Sequence, residues 1–357
     1  MVEGSDQTAD SPITQEQTDP VVRKISKYDA VKVKVWLEDH FFIFSRFLVS
    51  RILTLNKVPP KDSIRIAMDL KKLLVEEGKL EVRQAEMESY LFRIMRVYNY
   101  GDAFIRRYQM MNRFYSLRAP LLILVSGPPI CGMSTLVTQL ADRVNVANVL
   151  QTAIVTSVMS HFSADSQRAP FWAAHEGRLE RYMTECEGAR KGVQTDISKC
   201  LREGKALIIE GYHVDPTLYF RLMENQSYRK FRMIWPDTPA FSHDPASKAD
   251  IDSIDYSSAV IVPFLLTISE KDHAYIVENW LMSNLQSSVQ EELRNLGSFQ
   301  QQLQHCLRSF QEVQRYLLDF DEVFTVLPIN IEHIEETIGT MHNVILARIE
   351  AAYGQPS

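Results

Sequence analysis

LLILVSGPPICGMSTLVTQLADRV, residues 121–144, decides how this chain is read. Residues 121–126 form the short apolar run of a buried strand. Gly127 and Gly132 bracket a turn, and Ser134 to Val144 carries apolar residues at the three- and four-residue spacing of an amphipathic helix. Strand, glycine-bounded loop and helix in that order make the form GxxxxGK[ST], in which backbone N–H groups and the helix N-terminus wrap a phosphate. Gly127, Gly132, Ser134 and Thr135 fit that form, but Met133 stands where the lysine belongs. A lysine there reaches the β and γ phosphates. Met133 matches its length without its charge, and losing one preorganised electrostatic partner typically lowers a rate by ~100- to 1000-fold. Ile130 is a second oddity, a β-branched residue at a bend where glycine is common.

Working outward, the texture after Pro120 repeats. The apolar runs LLILVS, NVLQTA, KALIIEG, AVIVPFLLTIS and EVFTVLP alternate with helical patterns at Ser134–Val144, about 180–202, Lys271–Met282, about 291–318 and Ile331–Ala352. This alternation predicts an α/β domain over 118–353, a P-loop NTPase parallel sheet with flanking helices. The stretch 236–258, rich in Pro, Ser and Asp, reads as a mobile loop. Residues 22–117 read as a mainly helical domain that opens on one alternating strand, KVKVWL, with breaks at NKVPP and EEGKL. Within it FFIFSRFLVSRILTL is interrupted by Arg46 and Arg51 and falls short of the roughly 20 residues that cross a bilayer, so it is expected as a buried amphipathic helix. Residues 1–21 are acidic and polar, which predicts a disordered tail and neither a secretory signal nor a membrane anchor.

The second chemical feature is KALIIEGYHVDP, a strand pattern ending in Glu210 and Gly211. An acid at the tip of the strand beside a phosphate loop is where a Mg²⁺-water ligand sits, so Ser134 and Glu210, with Asp215 behind them, are the metal-side candidates. A carboxylate that caps the next turn fits these residues equally well. His213 reads as a structural histidine. ATP and Mg²⁺ are the expected cofactors if nucleotide binding survives.

Composition limits the alternatives. With 357 residues, 45% of them hydrophobic, the chain can bury a real core, and its net charge of -6 gives no footprint for nucleic acid. Cys131, Cys186, Cys200 and Cys306 lack CxxC spacing, which argues against a zinc site or a disulfide framework and for a reducing, cytoplasmic setting without membrane contact.

With the phosphate loop, NVLQT, ECEGARKG and LIIEGYHVDP in this order, the chain resembles the 2-phosphoglycerate kinase family, in particular the eukaryotic branch that includes the plant low-phytic-acid proteins. The resemblance extends back through KYDAVKVKVWL and YNYGDAFIRRYQMMNRF and forward to EKDH and FQEVQRYL, covering most of residues 27–350. It implies an N-terminal module similar to an ATP-cone and a kinase domain that uses ATP and Mg²⁺. The implied acceptor is 2-phosphoglycerate in archaeal members and something tied to inositol-phosphate metabolism in the plant branch. In an ATP-cone, Lys32, Lys34 and Arg46 would be the basic candidates for a second nucleotide, although plain surface charge is the preferred reading.

Departures from the family pattern all remove charge. Met133 replaces the lysine, Ala153 follows Thr152 where an aspartate is expected, and Ser160, Ala174 and Gln311 stand at expected arginines. Residues that shape the fold, among them Gly127, Gly132, Gln151, Trp172, Gly192, Gly211 and Pro216, are retained. The resulting expectation is a pseudokinase with weak nucleotide binding and a scaffolding or regulatory role. One alternative is an active small-molecule kinase in which Arg190 or Lys191 substitutes for the lysine, although a solvated or structural face suits that pair better. Another is a subunit of a larger assembly, with a protein partner on the C-terminal helices, where Leu293, Leu296, Phe299, Leu303 and Leu307 keep helical spacing, although ordinary core packing is the preferred reading of that stripe.

Overall fold

Six consecutive residues, Leu121–Ser126, are all buried, which in a strand means cover on both faces. They form β4 at the centre of a sheet. The computed structural model describes residues 28, 30–161, 170–174, 177–225, 228–233, 259–283 and 297–354, with the side chains of 160, 161, 221–225 and 228–233 excepted. The expected tail at 1–21, the loop at 236–258, and Leu293 and Leu296 lie outside the described residues.

The chain begins with β1 (Lys34–Leu37), β2 (His40–Ile43), α1 (Arg46–Leu55), α2 (Pro60–Glu76), β3 (Glu81–Arg83), α3 (Gln84–Val97) and α4 (Asp102–Ser116). Its strands pair in the order β2-β1-β3, and Val33, Val35, Leu53, Ile66, Leu70, Val82 and Leu91 pack into one apolar cluster. The expected helix over FFIFSRFLVSRILTL is corrected here. Phe41–Ile43 pair back onto β1 through a turn at Glu38, whose φ is 44°, and the helix starts only at Arg46, after Ser45 accepts from the Leu48 amide. Aromatic and β-branched residues favour the pleated edge, and the serine cap fixes where helix begins.

After β4 come α5 (Met133–Arg143), β5 (Val149–Gln151), α6 (Thr152–His161), a 3₁₀ turn at Phe171–Ala173, α7 (Arg178–Gly192), α8 (Gln194–Glu203), β6 (Ala206–Glu210) and α9 (Pro216–Tyr219). Then follow the antiparallel pair β7 (Phe220–Asn225) and β8 (Tyr228–Met233), β9 (Val260–Thr267), α10 (Glu270–Met282), α11 (Phe299–Leu318), β10 (Thr325–Pro328) and α12 (Ile334–Tyr353). Among the described residues five strands form an all-parallel sheet in the order β10-β9-β4-β6-β5, with Leu121 opposite both Ala206 and Val260. The direction of strand addition reverses beside β4, and an open α/β sheet offers its ligand crevice outside the strand C-termini at such a point.

Alternate residues of β4 face opposite layers. Leu121, Ile123 and Val125 pack with α5 and α12, whereas Leu122 and Leu124 pack with Ile197 and Leu201 of α8. The first cluster also holds Leu55, Met110, Met111 and Phe114, so one apolar core runs across the residue 118 region. His342 of α12 donates from Nε2 to the Leu55 carbonyl at 2.8 Å.

Two further expectations change in detail. NVLQTA is strand only to Gln151, and α6 starts at Thr152. The helix expected over 180–202 is two helices that meet at Val193, where Gly192 lets Val155 of α6 approach so closely that a Cβ would lie 2.4 Å from its Cγ1. On α11 Leu303 is buried with Phe310 and Val313 and Leu307 packs against them, as the core-packing reading expects of these two, while Phe299 is exposed.

Candidate phosphate-binding site

The loop from Gly127 to Gly132 joins the C-terminal end of β4 to α5 at the crevice. A Cβ on Gly127 would lie 2.8 Å from the Leu266 carbonyl oxygen of β9, so only glycine allows the loop this close to the sheet. Gly132 caps α5 at φ 83°, and Ile130 sits at φ 54°, a left-handed conformation that strains a β-branched residue. No side chain caps α5 at its N-terminus and its first turn holds no acid, so its leading N–H groups and the positive end of its dipole are open to an anion.

Two oxygen-bearing side chains meet near the first turn of α5. Ser134 Oγ donates to Glu210 Oε1 at 2.7 Å, and the Glu210 side chain sits at the tip of β6 with 2% of the residue exposed. Burial raises the Glu210 pKa, and the Ser134 hydrogen bond partly offsets that. A hydroxyl and a carboxylate suit Mg²⁺, which keeps several waters and takes its other oxygens from phosphates. Among the described residues no group of three or more His, Cys, Asp or Glu side chains could hold a metal ion alone.

Met133 leads α5 and is buried in the apolar cluster that holds Leu136 and Val137. Thr135 is exposed on the first turn. Ala153 is exposed at the start of α6, so the crevice has no carboxylate at that position. Ser160 lies in α6, Ala174 is buried just after the 3₁₀ turn, and Gln311 is half-buried on α11.

Two candidates take other roles. Arg190, a possible substitute for the lysine, is buried: its guanidinium lies 4.9 Å from the Tyr219 ring centroid, and it bonds to the Leu218 carbonyl and the Gln194 side chain. It braces α7 against α9, and Lys191 beside it is exposed. Asp215 accepts from the Thr217 amide at 2.8 Å and from the Thr217 hydroxyl, both through Oδ1, and so caps α9. His213 is structural as expected, with Nδ1 3.1 Å from Thr152 Oγ1 and Nε2 3.4 Å from Glu185 Oε2. In the N-terminal unit Lys34 pairs with Glu81 at 2.9 Å, Lys32 is exposed, and Arg46 opens α1.

Glu185 and His273 stand inside ECEGARKG and EKDH, where the sequence pattern gives them no role: Glu185 also accepts from the Phe171 amide at 2.7 Å, and His273 Nε2 donates to the Pro129 carbonyl at 2.9 Å. Both act across more than ten residues of chain, and nothing in their local spacing signals a partner.

The chain is similar to archaeal 2-phosphoglycerate kinases. It is 23% identical over 217 residues to the 2-phosphoglycerate kinase of Methanopyrus kandleri, covering 57% of this chain and 65% of that protein. The Methanocaldococcus jannaschii 2-phosphoglycerate kinase is 27% identical over 187 residues, covering 49% and 60%. The Pyrococcus horikoshii 2-phosphoglycerate kinase is 22% identical over 296 residues, covering 76% and 94%. The chain therefore spans less than two thirds of the length of the first two of these kinases. No protein-family model matches it. Among solved structures, a full-length tRNA isopentenylpyrophosphate transferase from Bacillus halodurans covers 66% of this chain at 13% identity with a TM-score of 0.33, a likeness too loose to bear on fold or function. Among the described residues no helix is long and apolar enough to cross a membrane.

Proposed function

We propose that this chain is a kinase-like protein of the 2-phosphoglycerate kinase type that holds a Mg²⁺-nucleotide weakly, has lost phosphoryl transfer, and serves as a binding or scaffolding module. The observation that carries this reading is the pairing of Ser134 with Glu210 beside a phosphate loop whose Met133 side chain is buried in apolar core. Loop and helix amides bind phosphate whatever side chain follows Gly132, and Ser134 with Glu210 would hold Mg²⁺. The ion, when bound, supplies positive charge to the β and γ phosphates. Transfer needs more: a cation on the migrating group and a base for the acceptor hydroxyl. Met133 and Ala153 provide neither, and Ala174 and Gln311 cannot make the charge-assisted bonds of arginine.

Purified protein should bind ATP with Mg²⁺ while showing no phosphorylation of 2-phosphoglycerate above background. The inositol phosphates suggested by the resemblance to the plant branch should give the same result. Turnover at ordinary kinase rates, about 1 to 100 per second, would instead make the chain a working small-molecule kinase. The burial of Arg190 weighs against that second reading, because its guanidinium is already engaged by Tyr219 and Gln194.

A further inference from the structure

The bend of the phosphate loop is held at two points. Gly127 lies against the Leu266 carbonyl of β9, and the Pro129 carbonyl accepts from His273 Nε2 at 2.9 Å. Directly after the second of these Ile130 occupies φ 54°, a conformation a β-branched residue leaves unless its surroundings hold it. The acceptor is a carbonyl, so Nε2 must carry the proton. His273 is itself anchored. It is 1% exposed, and its ring stacks on Phe310 of α11 at 5.7 Å between centroids and 27° between planes. The start of α10 cannot slide, because Ser269 accepts from the Asp272 amide and Gln314 of α11 bonds both the N–H and the carbonyl of Ile268.

We propose that His273 is the positioning residue of the phosphate loop. By holding the Pro129 carbonyl, it keeps the Ile130 peptide turned so that the loop amides face the β-phosphate of a nucleotide. This rests on the reading of the loop as a phosphate cradle. Released from His273, Ile130 relaxes to negative φ and the following amides rotate away. With no ammonium at Met133, amide direction is most of what the loop offers an anion, so affinity leans on this bond more than in a loop with lysine.

Full-length wild type, His273→Phe, which keeps a stacking ring and removes the donor, and His273→Gln, which keeps a donor at similar reach, should be titrated with ADP by calorimetry. His273→Phe should weaken ADP about tenfold, the equivalent of one net hydrogen bond, and His273→Gln should return to within about twofold of wild type. The backbone ¹³C shifts of Ile130, which report its φ without any ligand, should move in His273→Phe and stay in His273→Gln. In an Ile130→Gly background, where the left-handed turn is unstrained, the effect of His273→Phe should shrink at least threefold. Ile130 shifts unchanged in His273→Phe, or equal losses in both His273 variants, would overturn the proposal. If wild type binds no ADP yet the Ile130 shifts move, the cradle reading fails and the positioning role stands. Should His273→Phe not fold, His273→Leu, which also removes the donor, replaces it: Ile130 shifts that move support the role, and shifts that stay decide against it.

Discussion

Ser134 Oγ and Glu210 Oε1 lie 2.7 Å apart, tying the first turn of α5 to the tip of β6 across the sheet. These two residues are 76 positions apart in the chain, and parallel pairing of β4 with β6 brings them together.

Glu210→Gln keeps the hydrogen bond to Ser134 and removes the charge a divalent cation needs. ATP affinity measured with Mg²⁺ should fall roughly tenfold, toward the Mg²⁺-free value, which itself should change less than about twofold. Calorimetry with and without the ion reads both. An equal loss in the two conditions would mean that Glu210 supports the loop and not the metal.

Met133→Lys places an ammonium in a position packed against Leu136 and Val137. The side chain must stay buried or swing toward the loop, so the variant should lose on the order of 1–3 kcal/mol of stability in a denaturant titration. ATP should tighten more than ADP, because the ammonium interacts chiefly with the β and γ phosphates. Transfer should stay absent while Ala153 lacks a carboxylate. Unchanged ATP affinity would show that the loop does not cradle phosphate.

Arg190→Ala should destabilise the protein by about 2–4 kcal/mol, since it leaves Gln194 and the Leu218 carbonyl without their buried partner and uncovers Tyr219. Lys191→Ala, on the exposed side of the same helix, should stay within ~0.5 kcal/mol. Nucleotide affinity should be unchanged in both. A large loss of affinity in a folded Lys191→Ala protein would restore that lysine as a phosphate ligand.

Burial holds the His342 imidazole down at about 4, with the bond to the Leu55 carbonyl acting against the shift. The unfolded chain, with an ordinary histidine near 6.5, takes the proton first as pH falls. Stability is therefore intact above about pH 6.5, declines below it, and levels off near pH 4, a loss on the order of 3 kcal/mol from this group. Glu210, with its raised pKa, works in the opposite direction at acid pH. Denaturant titrations of wild type and His342→Gln between pH 7 and 4.5 isolate the histidine: the slope should flatten in the variant, and parallel slopes would contradict the assignment.

Much of the sheet was legible in the residues. LLILVS, KALIIEG and AVIVPFLLTIS read as buried strands because a parallel strand covered on both faces must be apolar throughout, and EVFTVLP proved to be the half-buried edge strand β10. The two glycines marked the loop between β4 and α5 because backbone conformation and close approach demand them there. Boundaries set by tertiary contact were less visible. The start of α6 at Thr152 goes with the His213 bond to its hydroxyl, and the break at Val193 with the crossing of α6 over Gly192. The edge strand Phe41–Ile43 looked like the first turn of a helix because a short apolar run has no clear period. Arg190 and Lys191 are adjacent in sequence and opposite in burial, a difference that only packing against Tyr219 creates.

The apolar cluster that joins Leu55, Met110, Met111 and Phe114 to Ile345, Leu346 and Ile349 has a thermodynamic meaning. Phe114 also meets Tyr353 edge-on at 5.4 Å, so the last helix of the chain is clasped by the first ninety described residues. The helical N-terminal unit and the sheet should melt in one cooperative transition. A truncation that begins at residue 118 would strip α12 of its cover and present a sticky flank to solvent. Nucleotide captured at the phosphate loop would then raise the melting point of α1 and α4 as much as that of β4, although neither helix touches it.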